Sequence, residues 1–228
     1  MPNAVVTGAN SGIGHAFAQL LIGKGYSVTA VDLNSGDALK SLGCGTARVD
    51  VSSPDSIAAF AKAYGDKPLD LLLNIAGVMV SHDRDSLETV THSTLTKVVA
   101  ANTFGPLLLT QALLPNLLKS ASPKLGVMSS RMGSIKDNGS GGSYSYRASK
   151  AAVNAIFKSL AVDLKDKGVT VVVMHPGIVK TPMVPEAKEV KEAVEPEEAA
   201  EKLYEVLASK GLEDTGRFWH REGFELDW

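Results

Sequence analysis

Short apolar runs rich in β-branched residues, separated by stretches of helical spacing, restrict this chain more than any other feature. They fall at Ala4 to Thr7, Ser27 to Asp32, Ala47 to Val51, Leu69 to Asn74, Lys124 to Ser130 and Thr170 to Pro176. None is long enough for a helix, and each predicts a strand buried on both faces. Between them, apolar residues recur every three or four positions, as at Ile13, Phe17, Leu20 and Leu21, or at Ile57, Phe60 and Ala61 after the N-cap signal Ser53-Pro54-Asp55. Strands alternating with helices imply βαβ crossovers, hence an α/β fold with a doubly wound parallel sheet and helices on both faces.

Two long helices are predicted, across Leu95 to Leu118 and Ser143 to Asp166, the second stopping at Lys167-Gly168. The pattern fails through 177-GIVKTPMVPEAKEVKEAVEP-196, rich in Pro, Glu and Lys, which reads as a mobile connection with a substrate loop at about 178–196. A last helix from Glu197 to Ser209 and a short strand near Phe218 and Trp219 follow. The 228 residues, 44% of them hydrophobic, suffice for one substantial core, so a single domain over 1–228 is expected.

Lys and Arg number 23 against 25 Asp and Glu, a net charge of -2, which excludes the basic field of a nucleic-acid binder. Small molecules or proteins are the expected partners. A lone cysteine, Cys44, excludes an intrachain disulfide and suits a cytoplasmic protein. His15, His82, His92, His175 and His220 show no ligand-like grouping, so no metal site is expected. Thr7-Gly8 and nearby polar residues break the first apolar run, which is neither signal peptide nor membrane span.

The first strand leads into 7-TGANSGIG-14 and then directly into an amphipathic helix. Glycines at 8, 12 and 14 permit a tight turn, close approach of backbone to a pyrophosphate and close helix-to-strand packing, with the helix N-terminus facing the anion. The spacing is wider than G-x-G-x-x-G, and a plain strand-to-helix turn is the alternative. Asp32 closes the second strand, roughly 20 residues beyond the turn, where its carboxylate can accept from a ribose 2′-OH and would repel a 2′-phosphate. Neither Leu33 nor Ser11 is basic, so NAD(H) is favoured, with NADP(H) the runner-up. Asp32 could instead cap a turn with Asn34-Ser35.

In 144-YSYRASKAA-152, Tyr146 and Lys150 stand one helical turn apart on a common face, while Tyr144 faces elsewhere. A phenol with a reference pKa of about 10 becomes a useful base when an ammonium favours its anion. The alternative for such a pair is a solvated helix face.

Taken together, these motifs resemble the short-chain dehydrogenase/reductase family across nearly the entire chain. The turn 7-TGANSGIG-14 is similar to its cofactor turn, 74-NIAG-77 to its N-N-A-G segment with Ile75 replacing Asn, 129-SS-130 to its serine after strand five, 146-YRASK-150 to its Y-x-x-x-K, and 175-HPGIVKT-181 to its P-G segment. The resemblance implies Tyr146 as general acid/base, Lys150 as the group that lowers its pKa and binds the nicotinamide ribose, and Ser130, rather than Ser129, as donor to the substrate oxygen. Asn102 would hold a water in a proton relay, or would instead be a buried brace. Cofactor contacts are implied for Gly8, Asn10, Ser11, Gly12, Ile13 and Gly14, for Asp50 and Val51 at the adenine, for Asn74, Ala76 and Gly77, and for Pro176, Gly177, Ile178 and Thr181.

The stretch 131-RMGSIKDNGSGG-142 and the C-terminal 216-GRFWHREGFELDW-228 resemble a branch of small C-factor-like and sniffer-like carbonyl reductases, many of which are expected to use NADP(H), against the local charge of Asp32. An aldehyde, ketone or alcohol substrate is implied, with Val78, Met79, Met132, Asn138, Tyr144 and Met183 facing it, together with a homodimer or homotetramer built on the two long helices. A sensor or signalling protein that binds NAD(H) with little turnover is the alternative from another class.

Overall fold

Seven parallel strands form the central sheet of a computed structural model that describes residues 1–228. In chain order they are β1 (Asn3–Thr7), β2 (Ser27–Asp32), β3 (Gly45–Arg48), β4 (Leu71–Asn74), β5 (Lys124–Met128), β6 (Thr170–His175) and β7 (Arg217–His220). Their spatial order is β3-β2-β1-β4-β5-β6-β7. The order reverses between β1 and β4, which opens a crevice at the carboxyl ends of the strands, the place where this topology binds ligands.

The strands are apolar on both sides because both sides are covered. In β6, Val171 and Val173 join a core with Ile57 and Phe60 of α3 (Pro54–Tyr64), Leu109 and Leu113 of α5 (Gly105–Leu117) and Phe157 of α6 (Tyr144–Lys165). Val172 and Met174 point the other way, to Phe17 and Leu21 of α1 (Gly12–Gly23) and Leu203 and Leu207 of α7 (Pro196–Ser209). A three-layer α/β/α fold results. The short α2 (Asp37–Ser41) sits beyond β2.

Local signals account for most element ends. Ser53 caps α3, its hydroxyl accepting from the Ser56 N–H with Pro54 in the first turn. Gly168, at φ +77°, stops α6. The third strand ends earlier than its apolar run predicts, because Asp50 turns the chain: its carboxylate accepts from the Ser52 N–H and hydroxyl, and its own N–H donates to Ser56 Oγ.

The predicted helix over 95–118 is a run from His92 to Leu117 with a π-turn at Ala100–Phe104 between α4 (His92–Val99) and α5. The run is long and apolar enough to cross a membrane, and half of its most apolar stretch is buried within the fold. The stretch after Pro176 carries local order: Val179 bridges Val194, the 3₁₀ turn Pro185–Glu189 follows, and Ala187 is buried.

Candidate active site

A cavity of about 1000 Å³ runs along the carboxyl edge of the sheet, from Asp32 and Asp50 at one end to Ser130, Tyr146 and Lys150 at the other. The glycine turn forms its floor. Gly8 has φ +72° and lies against Ala76, where a Cβ would come within 3.0 Å of the Ala76 backbone. A Cβ on Gly14 would collide with the Gly8 carbonyl, so glycine there lets α1 start directly on the turn. The hydroxyl of Thr7 accepts from the N–H groups of Ile75 and Ala76, each at 2.9 Å, and locks the turn to the segment after β4. This cradle suits the pyrophosphate of a dinucleotide, with the N-terminus of α1 turned toward the anion.

Asp32 lines the cavity, its carboxylate accepting from the Asn10 N–H at 3.1 Å and the Asn34 N–H at 2.9 Å. Each oxygen keeps a lone pair for a ribose hydroxyl. Arg48 is the register partner of Asp32 on the adjacent strand, and its Nε donates to the Leu33 carbonyl at 3.0 Å. This cation was invisible in local sequence, because 16 positions separate residues that the sheet sets side by side.

At the other end, Tyr146 and Lys150 share one face of α6. Lys150 Nζ lies 5.6 Å from the centroid of the Tyr146 ring and donates to the Met128 carbonyl at 2.8 Å. Burial lowers the lysine to about 8. It raises the tyrosine to about 12, against the opposing pull of the Ser130 hydroxyl beside it. Burial thus outweighs the expected acidifying effect of the ammonium on the phenol. Tyr144 is 41% exposed, and neither it nor Asn138 lines the cavity, whereas Val78, Met79, Met132 and Met183 do.

Of the sequence-predicted cofactor residues, Ser11, Gly12, Ile13, Val51, Gly77, Pro176, Gly177, Ile178 and Thr181 also line the cavity. Asn10, Asn74 and Asn102 stand behind the wall. Asn10 Oδ1 accepts from the Leu39 N–H at 3.1 Å, and the buried Asn74 amide donates to Thr110 Oγ1 at 3.4 Å. Asn102, in the π-turn, spends its carboxamide on Val78, accepting from its N–H at 2.7 Å and donating to its carbonyl at 2.8 Å, with a further bond to Ser149 Oγ at 3.0 Å. Its side chain braces the loop after β4.

Several residues beyond the motifs shape the site. Buried Asp85 caps α6: its carboxylate accepts from the Ser145 N–H at 2.8 Å, the Ser145 hydroxyl at 2.7 Å and the Tyr146 N–H at 3.3 Å. His175, His220, Arg131 and Arg221 also line the cavity. His175 Nδ1 accepts from the Arg131 N–H at 3.3 Å. Burial, then His220, Arg131 and Arg221, push His175 down to about 3, so its ring is neutral at ordinary pH. His220 and Arg221 come from the C-terminal 216–228 stretch, Arg131 from the 131–142 stretch and His175 from the P-G segment, none of which the sequence tied to a meeting of these four side chains.

Fold and site together define a dinucleotide-binding α/β oxidoreductase. The sequence profile described as short chain dehydrogenase matches residues 2–192, and the chain belongs to the short-chain dehydrogenase/reductase family of NAD(P)-dependent enzymes. It is 36% identical over 231 residues to the 1-hydroxy-2-glutathionyl-2-methyl-3-butene dehydrogenase of Rhodococcus sp. (strain AD45), covering 100% of both chains. It is 35% identical to the C-signal protein of Myxococcus xanthus over 171 residues, 75% of this chain and 99% of that one. Among solved structures, the NADPH-bound carbonyl reductase from chicken fatty liver superposes with a TM-score of 0.90 at 31% identity, covering 100% of this chain and 99% of that one. Carbonyl reductase Sniffer of D. melanogaster gives 0.91 at 27% identity, with 100% of each covered. These relatives place the chain in the sniffer-like and C-factor-like branch.

Proposed function

We propose that the chain reduces a modest aldehyde, ketone or quinone-like carbonyl, or oxidises the corresponding alcohol, with Tyr146 as general acid/base. The observation that carries this reading is the shared face of Tyr146 and Lys150, opening beside Ser130 at one end of a dinucleotide-sized cavity. A bound nicotinamide supplies or accepts the hydride. Tyr146 passes its proton to the substrate oxygen, and Ser130 donates a second hydrogen bond as negative charge grows there, a contribution worth about 10²- to 10³-fold in rate. Lys150 holds positive charge under the phenol and holds the nicotinamide ribose. Proton replacement would run past Lys150 toward the π-turn at Asn102, whose side chain braces Val78 and Ser149. The 178–196 loop moves to admit substrate.

NAD(H) is the proposed cofactor, because the Asp32 carboxylate would repel a 2′-phosphate. Arg48 favours the second reading, NADP(H), as does the NADPH in the chicken relative. Dissociation constants for NADH and NADPH separate the two, and tighter NADPH binding overturns the choice.

Val78, Met79, Met132 and Met183 favour a partly apolar substrate. The Rhodococcus relative's name adds glutathione-conjugated alcohols to the panel worth testing. NADH absorbance followed against carbonyls, and NAD⁺ reduction against alcohols, tests the whole reading. Stoichiometric NADH binding without turnover on any compound would instead make the protein a sensor. Exposed Phe104 and Leu118 on the long helical run and Val162 on α6 support a homodimer or homotetramer through these helices, which light scattering checks.

A further inference from the structure

Arg221 follows β7 directly, and β7 pairs with β6 so that His220 stands beside His175. The Arg221 N–H donates to the His175 carbonyl at 3.0 Å, which turns the side chain back across the end of β6. There the guanidinium Nη1 donates to the Pro176 carbonyl at 2.5 Å and to the Ile178 carbonyl at 3.3 Å. Between those carbonyls sits Gly177, at φ +70°. A Cβ on Gly177 would meet the guanidinium carbon at 2.8 Å, so the missing side chain is the space the arginine fills.

The arginine is itself held. Its side chain is 10% exposed, and its Nε donates to Glu222 at 3.2 Å. Glu222 accepts from Lys202 of α7 at 2.9 Å, and Lys202 pairs with Glu198 at 3.3 Å. Nη1 reaches both carbonyls while Nε holds Glu222, a planar fork of donors that a single ammonium cannot reproduce. The clamped turn lies at the reaction end of the cavity. It leaves β6, the neighbour of β5, whose end carries Ser130, and it is tied there by the Arg131 N–H bond to His175. Asp32 marks the opposite end.

The geometry points to Arg221 as a positioning residue that clamps the 176–178 turn in the shape needed by the nicotinamide half of the cofactor. It gives the end of the C-terminal strand, where His220 and Arg221 line the cavity, a role in shaping the turn opposite. The inference rests on the nicotinamide reading above, and the test separates the two.

Isothermal titration of wild type, Arg221→Met and Arg221→Lys with NADH and with ADP-ribose, which lacks the nicotinamide, tests the clamp. Loss of the charge-assisted bonds should raise the Kd for NADH about tenfold in Arg221→Met, with Arg221→Lys between it and wild type. The Kd for ADP-ribose should not change in either. An unchanged NADH Kd in Arg221→Met, or equal weakening of NADH and ADP-ribose, overturns the clamp. Should Arg221→Met fail to fold, Arg221→Lys decides by the same contrast: NADH-selective weakening supports the clamp, and its absence overturns it. Wild type that binds neither ligand would sink the nicotinamide reading, and the clamp with it.

Discussion

Two side chains on one turn of α6 set the expected pH behaviour. Burial lowers Lys150 to about 8 and raises Tyr146 to about 12, so the first proton leaves the pair near 8. In the mechanism proposed for Tyr146, carbonyl reduction needs phenol and ammonium together, and its kcat/KM should fall as pH rises through about 8. Alcohol oxidation by the same route needs phenolate beside ammonium. That form carries the same number of protons as phenol beside neutral amine, so its kcat/KM should rise through about 8 and then level. Rate profiles in both directions check this, and two flat profiles between pH 6 and 10 would contradict it. Substitution separates the tyrosines as well. Tyr146→Phe should abolish turnover while NADH still binds, whereas Tyr144→Phe, at an exposed position outside the cavity, should keep most of the activity. Comparable loss in both would remove Tyr146 from its role.

At the scale of elements, α6 matters because its first turn must hold Tyr146 still. The chain enters α6 through Ser143 at φ +49°, and the cap comes from Asp85, about 60 positions upstream, with its carboxylate on the N–H groups of Ser145 and Tyr146. Asp85→Ala removes the cap and strands buried donors, a loss of about 2–4 kcal/mol by the usual costs of each. Its kcat should fall with the misplaced phenol while the Kd for NADH stays near wild type. Chemical denaturation and single-turnover kinetics measure the two effects, and an unaltered kcat would confine Asp85 to stability. The cap of α3 was legible in Ser53-Pro54-Asp55 because its donor and acceptor are three residues apart. No such local signal marks Asp85, nor the π-turn around Asn102, whose partners lie on the loop after β4 and on α6.

Across the whole molecule, one sheet is shared by both helical layers, with alternate residues of β6 serving each. Each layer's core takes one face of the same strands, so neither core survives without the shared sheet and unfolding should be a single cooperative transition. Trp219 reports on the α1 and α7 layer, while Trp228 stacks on Phe218 of the other core at 5.5 Å. In a Trp228→Phe variant, Trp219 fluorescence and far-UV circular dichroism should give superimposable urea curves. Phe157→Ala, at a fully buried position on α6, should lower stability by about 3–5 kcal/mol at an unchanged slope. Separate midpoints for the two probes would mean that the layers unfold independently.

Periodicity and turn chemistry are local, and they determined the α/β class, the seven strands to within a few residues, the glycine cradle and the pairing of Tyr146 with Lys150. Each depends on residues within one or two turns of one another, whose geometry the backbone itself dictates. Tertiary structure alone decided which distant groups meet at the site. It brought Arg48 beside Asp32, Asp85 beneath Tyr146 and Arg221 around Gly177, and it gave the Asn102 side chain the bracing bonds that the sequence left as one of two alternatives. Strand order and crossover set those meetings, and neither leaves a mark in the spacing of neighbouring residues.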